Sequence, residues 1–270
     1  MVRSMQAEAI YARPRNISRL GECYFYHTME IPGYGLVTGQ WDLRNGIRAY
    51  TGELDFNGRR VLEVGTASGF VCFYMERQGA DVVAFDIDEN QSWDIVPLSA
   101  IDAQSEVEKR QRIVRQMNDA YWLAHRAFRS KAKVVYGTAY DIPRAIGDVD
   151  ISTFCSVLVH LRDPFLALHN AARLTRDAIL VTDVVNPTRS KSTQFNSGLP
   201  FMEFIPDFRA GGPYDAWWFL NPQVIEAFLG ILGFGDTSVT YHSQRSSEGE
   251  REMFSVLGRK ASASLRKERM

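Results

Sequence analysis

The chain has 270 residues, 45% of them hydrophobic and 23% charged, which is close to the average of soluble globular proteins and far from disordered or fibrous compositions. Its 31 Lys and Arg nearly balance its 32 Asp and Glu, so no net positive field is available to hold a polyanion such as RNA non-specifically. The length suits one α/β domain with additions, although two small domains also fit within it. These properties favour a small-molecule substrate over nucleic acid.

The cysteines and the hydropathy pattern bear on the compartment. Cys23, Cys72 and Cys155 are an odd, widely separated set without a CxxC or metal-ligand spacing, which favours a reducing environment. No apolar run reaches the roughly 18 residues of a membrane span, and the N-terminus lacks the pattern of a secretory signal. We therefore expect a cytoplasmic protein without a membrane segment. The sequence leaves the oligomeric state open, including a homo-oligomer.

The first 54 residues are predicted to be an N-terminal arm and cap. Residues 1–20 are polar and lack a sustained apolar period, so they indicate either an arm or a loosely docked helix. Residues 24–44 are rich in aromatic side chains and glycine, which indicates a structured cap.

A regular alternation of strands and helices follows. Short apolar runs predict strands at 60–64, 81–85, 133–136, 150–154 and 178–182. Helical patterns occupy residues 70–78, 102–130 and 163–174. Asp163 is a suitable N-cap for the last of these helices, with Pro164 in the first helical position. This alternation predicts a parallel, doubly wound sheet buried on both faces, with ligands binding at the carboxyl ends of the strands.

The C-terminal third changes character. Residues 186–212 are irregular and rich in Pro, Gly and Ser, and we expect an inserted lid at about 186–218. A helix is predicted at 222–232, followed by an antiparallel pair at 237–241 and 252–257 that polar residues join. The main domain is thus expected to span residues 55–260, with a flexible tail at 261–270.

Two glycines and one acid form the clearest binding signal. Gly65 and Gly69 follow the first predicted strand and permit a tight turn with close backbone approach to a ligand, just before a helix N-terminus. Asp86 ends the second strand, at the spacing of an acid that accepts hydrogen bonds from the hydroxyls of a ribose. A dinucleotide site would need GxGxxG, but Ala67 and Phe70 stand at its second and third glycine positions. The pattern therefore favours a different adenosine-containing ligand.

The segment Glu63-Val-Gly-Thr-Ala-Ser-Gly69 resembles motif I of class I S-adenosylmethionine-dependent methyltransferases. Two further segments resemble that family in the same order, Gly137-Thr-Ala-Tyr-Asp-Ile-Pro143 and the VLxHLxDP string within 154–164. The resemblance implies a Rossmann-like, seven-stranded, mostly parallel sheet with an antiparallel C-terminal strand, and S-adenosyl-L-methionine as cofactor. The cofactor-binding residues it implies are Glu63, Gly65, Thr66, Ala67, Gly69, Asp86, Ile87, Thr138, Ala139, Asp141 and Cys155.

A closer likeness is to the branch that contains the tRNA wobble-uridine carboxymethyl-transfer enzymes and their small relatives. It depends on Gln40-Trp-Asp-Leu-Arg44, on His160 and on Trp218-Phe-Leu-Asn-Pro222. Those enzymes hold the extra carboxylate of their cofactor partly with a tyrosine directly before the histidine, and this chain has Val159 there. The departure favours ordinary S-adenosylmethionine.

Two histidines are the candidate catalytic groups. If the methyl acceptor is a hydroxyl, His160 is the first candidate for general base and His27 the second, although His160 could equally orient its loop. Asp183 stands alone after the fifth strand, so we expect no metal. The aromatic surplus and one arginine suggest an enclosed substrate pocket, for which the candidates are Trp41, Arg44, Trp122 and Trp218.

The sequence thus predicts a methyltransferase that acts on a small, hydroxylated or aromatic metabolite. Two alternatives stay open: a tRNA-modifying transferase of the wobble-uridine type and a non-catalytic cofactor-binding subunit.

Overall fold

The computed structural model describes residues 10–99, 102–186 and 198–260. The N-terminal part contains β1 (Met29–Ile31), β2 (Gly35–Val37), β3 (Trp41–Asp42) and α1 (Ile47–Tyr50). The central part contains β4 (Arg60–Val64), α2 (Phe70–Arg77), β5 (Asp81–Asp86), α3 (Ala103–Phe128), β6 (Lys133–Tyr136), β7 (Val149–Cys155), α4 (Pro164–Ala172) and β8 (Thr175–Val184). The C-terminal part contains β9 (Met202–Phe204), β10 (Trp218–Leu220), α5 (Pro222–Ile231), β11 (Asp236–Ser246) and β12 (Gly249–Arg259).

The main sheet has the strand order β3-β11-β12-β8-β7-β4-β5-β6. Strands β8, β7, β4, β5 and β6 are parallel, and β12 runs antiparallel between β8 and β11. The order reverses at β4, which lies between β5 and β7, and a crevice at the carboxyl ends of these strands is where such sheets bind ligands. The predicted doubly wound fold is confirmed.

The sheet has one strand more than the predicted seven. The two-residue strand β3 comes from the cap and pairs with the far end of β11, where Asp42 lies opposite Arg245 and Trp41 opposite Ser246. The hairpin of β11 and β12 is also longer than predicted, because the polar residues expected to form a connection continue both strands. Their polarity reflects the exposed outer side of β11 and not a loop.

Local sequence signals set the helix ends. The Asp163 side chain accepts a hydrogen bond from the Leu166 N–H at 2.9 Å, with Pro164 in the first position of α4, as predicted. Asp102 caps α3 in the same way. Before Leu20 the described residues form no helix, and the Ala12 N–H donates to the carbonyl of Val134 on the edge strand at 2.8 Å.

Two apolar layers cover the two faces of the sheet. One is built by α2, α3 and the cap, whose Met29, Ile31 and Leu43 share a single core with Trp122. The other is built by α4 and α5. The cap therefore packs as part of the same core and holds its residues against the carboxyl ends of the strands. Residues 1–9, the tail at 261–270 and residues 187–197 of the expected lid lie outside the described residues.

Within the described part of the chain, no helix combines the length and the apolar composition that crossing a membrane requires.

Candidate functional site

A cavity of about 310 Å³ opens at the carboxyl ends of β4, β5, β6 and β7, below the cap. Most of the predicted cofactor residues and both histidines line it. The predicted residues in the lining are His27, Gly65, Ala67, Asp86, Ile87, Thr138, Ala139, Cys155 and His160. Residues far apart in the sequence thus meet at the place where the fold binds ligands.

The turn after β4 needs glycine for two separate reasons. Gly65 and Gly69 have φ angles of +83° and +89°, in the left-handed region that favours glycine. A Cβ atom on Gly65 would also lie 2.4 Å from Cγ2 of Val157, and one on Gly69 would lie 2.5 Å from Cε2 of Phe73. The backbone of this turn is therefore packed closely against its neighbours and exposed to the cavity at Gly65.

Asp86 joins this turn to the end of β5. Its Oδ2 accepts a hydrogen bond from the Ala67 N–H at 2.7 Å, and its Oδ1 accepts one from the Ile87 N–H at 2.8 Å. Burial raises the pKa of Asp86 to about 6, against the opposing effect of the backbone N–H donors. Each carboxylate oxygen has more than one acceptor site, so Asp86 can also accept hydrogen bonds from a ligand.

His160 has a defined proton arrangement. It ends a short 3-10 helix, Leu158–His160, and its Nδ1 lies 2.5 Å from the carbonyl oxygen of Asp215. A carbonyl oxygen can only accept, so Nδ1 must donate the proton of this hydrogen bond. In the neutral ring, Nε2 is then unprotonated and can accept a proton. His160 also lines the cavity.

His27 has a different environment. Its Nδ1 is buried and has no hydrogen-bond partner among the described residues. Its ring lies 4.9 Å from that of Tyr26 and 5.9 Å from that of Phe70, measured between centroids. Burial lowers the pKa of His27 to about 3. A ring with so low a pKa is a poor proton acceptor near neutral pH.

Residues that the sequence did not single out close the cavity. Arg110 from α3 lines it, and its guanidinium lies 4.9 Å from the ring centroid of Trp93 and 5.2 Å from that of Tyr214. Its Nη2 donates to Oδ2 of Asp215 at 2.7 Å. Arg110 belongs to the charged half of a helix whose pattern predicts a solvent-facing side, so no sequence signal separated it from neighbouring arginines.

The segment around Asp215 is held over the cavity by hydrogen bonds from its neighbours. Trp217 donates through its backbone N–H to the Val159 carbonyl at 2.8 Å and through Nε1 to the Asp94 carbonyl at 2.9 Å. Val96 N–H donates to the carbonyl of Tyr214 at 2.8 Å. The described end of the expected lid therefore packs across the loops that follow β5 and β7.

The four predicted substrate residues do not line the cavity. Trp122 is 2% exposed and donates through Nε1 to the Tyr136 hydroxyl at 2.9 Å, so it is a core residue. Arg44 forms an ion pair with Asp42 at 2.7 Å outside the cavity. The other two are in short strands: Trp41 in β3 and Trp218 in β10. Aromatic composition predicted an enclosed pocket but not which aromatic residues face it.

Four predicted cofactor residues also lie outside the lining. Asp141 is exposed, and its N–H donates to the Thr138 carbonyl at 2.9 Å. Glu63, Thr66 and Gly69 belong to the buried side of the turn. Glu63 is 1% exposed, and its Oε2 has no hydrogen-bond partner within the described part of the chain. Burial raises its pKa to about 8. Glu63 thus supports the turn from beneath.

The expectation of no metal stays a prediction. Among the described residues, no group of three or more His, Cys, Asp or Glu side chains is arranged to hold a metal ion. Asp183 is buried beside the end of β8, where burial raises its pKa to about 7 and its Oδ1 accepts from the Val184 N–H at 2.8 Å.

Comparison with known proteins gives the family. Residues 42–225 match the model of a methyltransferase domain family, which is more than half of the chain. The chain belongs to this methyltransferase domain family. The predicted resemblance to methyltransferases is thereby confirmed, whereas its closer likeness to the tRNA-modifying branch stays a prediction.

One curated relative and two solved structures place this methyltransferase domain further. It is 26% identical over 169 residues to a ubiquinone biosynthesis O-methyltransferase of Alkalilimnicola ehrlichii, and the match covers 63% of this chain but only 58% of that relative. It is similar to the N-terminal domain of EvdMO1, crystallised in the presence of SAH and D-fucose, with a TM-score of 0.50, 19% identity and coverage of 87% and 90% of the two chains. An O-methyltransferase family protein from Burkholderia thailandensis gives a TM-score of 0.50 at 13% identity, with 82% of this chain and 57% of that chain covered. At these identities the solved structures support the fold alone.

Proposed function

We propose that this methyltransferase domain uses S-adenosyl-L-methionine to methylate a hydroxyl group of a small molecule, with His160 as the general base. The observation that carries the proposal is the hydrogen bond from His160 Nδ1 to the Asp215 carbonyl in the lining of the cavity. It leaves Nε2 of the neutral ring able to accept a proton, and His160 lines the same cavity as Asp86 and Gly65. The O-methyltransferase relative supports a hydroxyl acceptor, as a finding about a similar protein.

The residues of the cavity fit the proposed cofactor. Asp86 offers carboxylate oxygens to the ribose hydroxyls, and its hydrogen bond from Ala67 already fixes its position. Ile87 and Ala139 supply apolar surface for the adenine, and Thr138 a polar group beside them. The backbone at Gly65 has no Cβ between it and the cavity. These groups would bind and orient the cofactor, which supplies an electrophilic methyl group on a sulfonium.

His160 would act on the proton of the acceptor. The bound cofactor would supply the methyl group for an in-line displacement at carbon with sulfur as the leaving group, and Nε2 of His160 would take up the hydroxyl proton of the acceptor. Asp215 stabilises the imidazolium that results, because its carbonyl accepts from the Nδ1–H that becomes more acidic. Alignment and exclusion of water supply most of the acceleration, and the base adds about 10²- to 10⁴-fold.

Binding of the cofactor is tested first. Isothermal titration calorimetry with S-adenosylhomocysteine is expected to give saturable binding that Asp86→Ala weakens. A matched control is Asp141→Ala, which changes an exposed acid outside the cavity and is expected to leave the affinity unchanged. Absence of binding by the wild type, or equal loss in the two variants, would contradict the proposal.

The role of His160 is tested next with two asparagine variants. Asn at position 160 places its amide nitrogen near the position of Nδ1 and can keep the bond to the Asp215 carbonyl, but it removes Nε2. We expect His160→Asn to keep the affinity for S-adenosylhomocysteine while it lowers kcat for transfer of a labelled methyl group to catechol by about 10² or more. His27→Asn is the comparison, with a smaller expected effect on kcat. Unchanged turnover in His160→Asn would exclude His160 as base.

A further inference from the structure

Arg110 is the feature of the cavity that methyl transfer by itself does not explain. Its side chain is only 15% exposed, although it carries a full charge. Among the described residues that line the cavity it is the only Lys or Arg. Burying a cation costs free energy unless an anion pairs with it. Such costly arrangements are found at sites that bind charged ligands.

Two aromatic rings lie beside the guanidinium of Arg110. Its central carbon is 4.9 Å from the ring centroid of Trp93 and 5.2 Å from that of Tyr214. The N–H donors lie in the plane of the group, at its edges. A partner must therefore approach in that plane, which suits the planar, bidentate geometry of a carboxylate.

Asp215 uses only part of the hydrogen-bonding capacity of the Arg110 guanidinium. It accepts from Nη2 at 2.7 Å, and no other hydrogen bond of the guanidinium occurs within the described residues. The guanidinium has five N–H donors in total. It can therefore bind a second anion beside Asp215, or exchange Asp215 for it.

The other acids in the lining are engaged elsewhere. Asp94 accepts from the Tyr140 hydroxyl and from the Arg162 backbone N–H, and pairs with the Arg162 guanidinium at 3.5 Å. Asp86 accepts from two backbone N–H groups at the opposite side of the turn. Neither acid pairs with Arg110, so Asp215 is its one acidic hydrogen-bond partner among the described residues.

Arg110 is also connected to the proposed base. The Asp215 carboxylate accepts from Arg110, and the Asp215 carbonyl accepts from Nδ1 of His160 at 2.5 Å. One residue thus joins the guanidinium and the imidazole, so a small molecule can contact both. We infer that the methyl acceptor carries an anionic group, with a ring carboxylate as the best match, which Arg110 binds while a hydroxyl of the same molecule faces Nε2 of His160. This inference rests on the proposed function and adds the substrate class.

The test compares two probes that differ by one carboxylate. With S-adenosylhomocysteine saturating, 3,4-dihydroxybenzoate and catechol are titrated into the wild type by calorimetry. We expect the acid to bind about 10- to 100-fold more tightly, the effect of a charge-assisted hydrogen bond. Arg110→Met is expected to reduce this ratio to about 1 while the affinities for catechol and S-adenosylhomocysteine stay within about twofold. Arg112→Met, an exposed arginine on the same helix outside the cavity, is the matched control and should keep the ratio.

A third variant separates recognition from a purely structural role. Asp215→Asn keeps the backbone carbonyl for His160 but removes the carboxylate that competes for Arg110, so the acid should bind more tightly than to the wild type. If Arg110 only holds the segment around Asp215 in place over the cavity, Asp215→Asn instead weakens the binding of both probes. Where Arg110→Met does not fold, as judged by circular dichroism, Arg110→Lys keeps the charge without the planar fork and should lower the ratio.

Three results would overturn the inference: equal affinity of the wild type for the two probes, no binding of the acid, or equal weakening of both probes in the Arg110 variants. Each of these leaves binding of S-adenosylhomocysteine intact. Failure of that binding instead contradicts the proposed function, so the two failures are distinguishable.

Discussion

Glu63 offers a quantitative test of the structure beneath the site. Burial raises its pKa from 4.5 to about 8, so at pH 7 the folded chain holds this proton and the unfolded chain does not. Because the folded state binds more protons than the unfolded state, raising the pH through this range lowers the free energy of unfolding. For these two pKa values the loss between pH 4 and pH 7 is on the order of 3 kcal/mol from this one group.

The Glu63→Gln variant keeps the size of the side chain and cannot ionise. We expect its free energy of unfolding, measured by urea denaturation at several pH values, to lack this component of the decline. The difference between wild type and variant isolates Glu63 from other titrating groups, and Glu30→Gln, on an exposed side chain, is the matched control that should keep the wild-type pH dependence. Parallel curves for the wild type and Glu63→Gln would refute the reasoning, since Glu63 would then be ionised in the folded protein.

Three further predictions concern the loops around the cavity. Burial raises the pKa of Asp86 to about 6, so its carboxylate is mostly ionised at pH 7 and mostly protonated at pH 5. S-adenosylhomocysteine should therefore bind about tenfold more weakly at pH 5 than at pH 7. Calorimetry of Asp86→Asn should show no such pH dependence. Gly65→Ala combines a positive φ with a steric clash and should lower the free energy of unfolding by about 2 kcal/mol or more. Gly58→Ala has a positive φ in open space and should lower it by about 1 kcal/mol, measured by thermal or urea unfolding. Equal losses in the two variants would contradict the clash. The Oγ of Ser156 lies 3.2 Å from the Tyr50 hydroxyl, so Tyr50→Phe should lower the free energy of unfolding by about 1 kcal/mol. Ser156 has a φ of +57°, which glycine adopts easily, so Ser156→Gly should tolerate the same backbone. A Tyr50→Phe protein of wild-type stability would exclude a stabilising role for the hydrogen bond between Tyr50 and Ser156.

Several buried acids of this protein share one physical feature. The pKa values of Glu63, Asp86 and Asp183 are raised to about 8, 6 and 7, in each case chiefly by burial near the carboxyl ends of the strands. At neutral pH Glu63 keeps its proton and Asp183 is partly protonated, whereas Asp86 is mostly a carboxylate. In the proposed function, the positive charge that enters with the sulfonium would favour ionisation of the nearest of them, so binding of the cofactor and proton release should be coupled.

The fold could be predicted because its signals are local and repeated. The five apolar runs and the helical patterns between them determined the parallel sheet, and Asp163 with Pro164 determined the start of α4. The glycine turn after β4 was also predictable, because a positive φ at Gly65 is a property of the backbone itself.

The substrate side of the cavity was not predictable in the same way. Trp122 and Arg110 lie on the same helix, α3, and composition alone favoured the tryptophan as a ligand contact. Only the packing of α3 against the sheet showed that Trp122 is directed into the core while Arg110 faces the cavity. The cap strand β3 was missed because two residues carry no periodicity, and it forms only where β11 offers a free edge.

The sequence by itself determined the doubly wound fold, the family resemblance and the glycine and aspartate at the strand ends, because each depends on residue type and spacing along the chain. The tertiary structure decided which side chains face the cavity, the proton position on His160 and the enclosure of Arg110. These depend on contacts between segments more than 50 residues apart, such as His160 with Asp215, which no local pattern encodes.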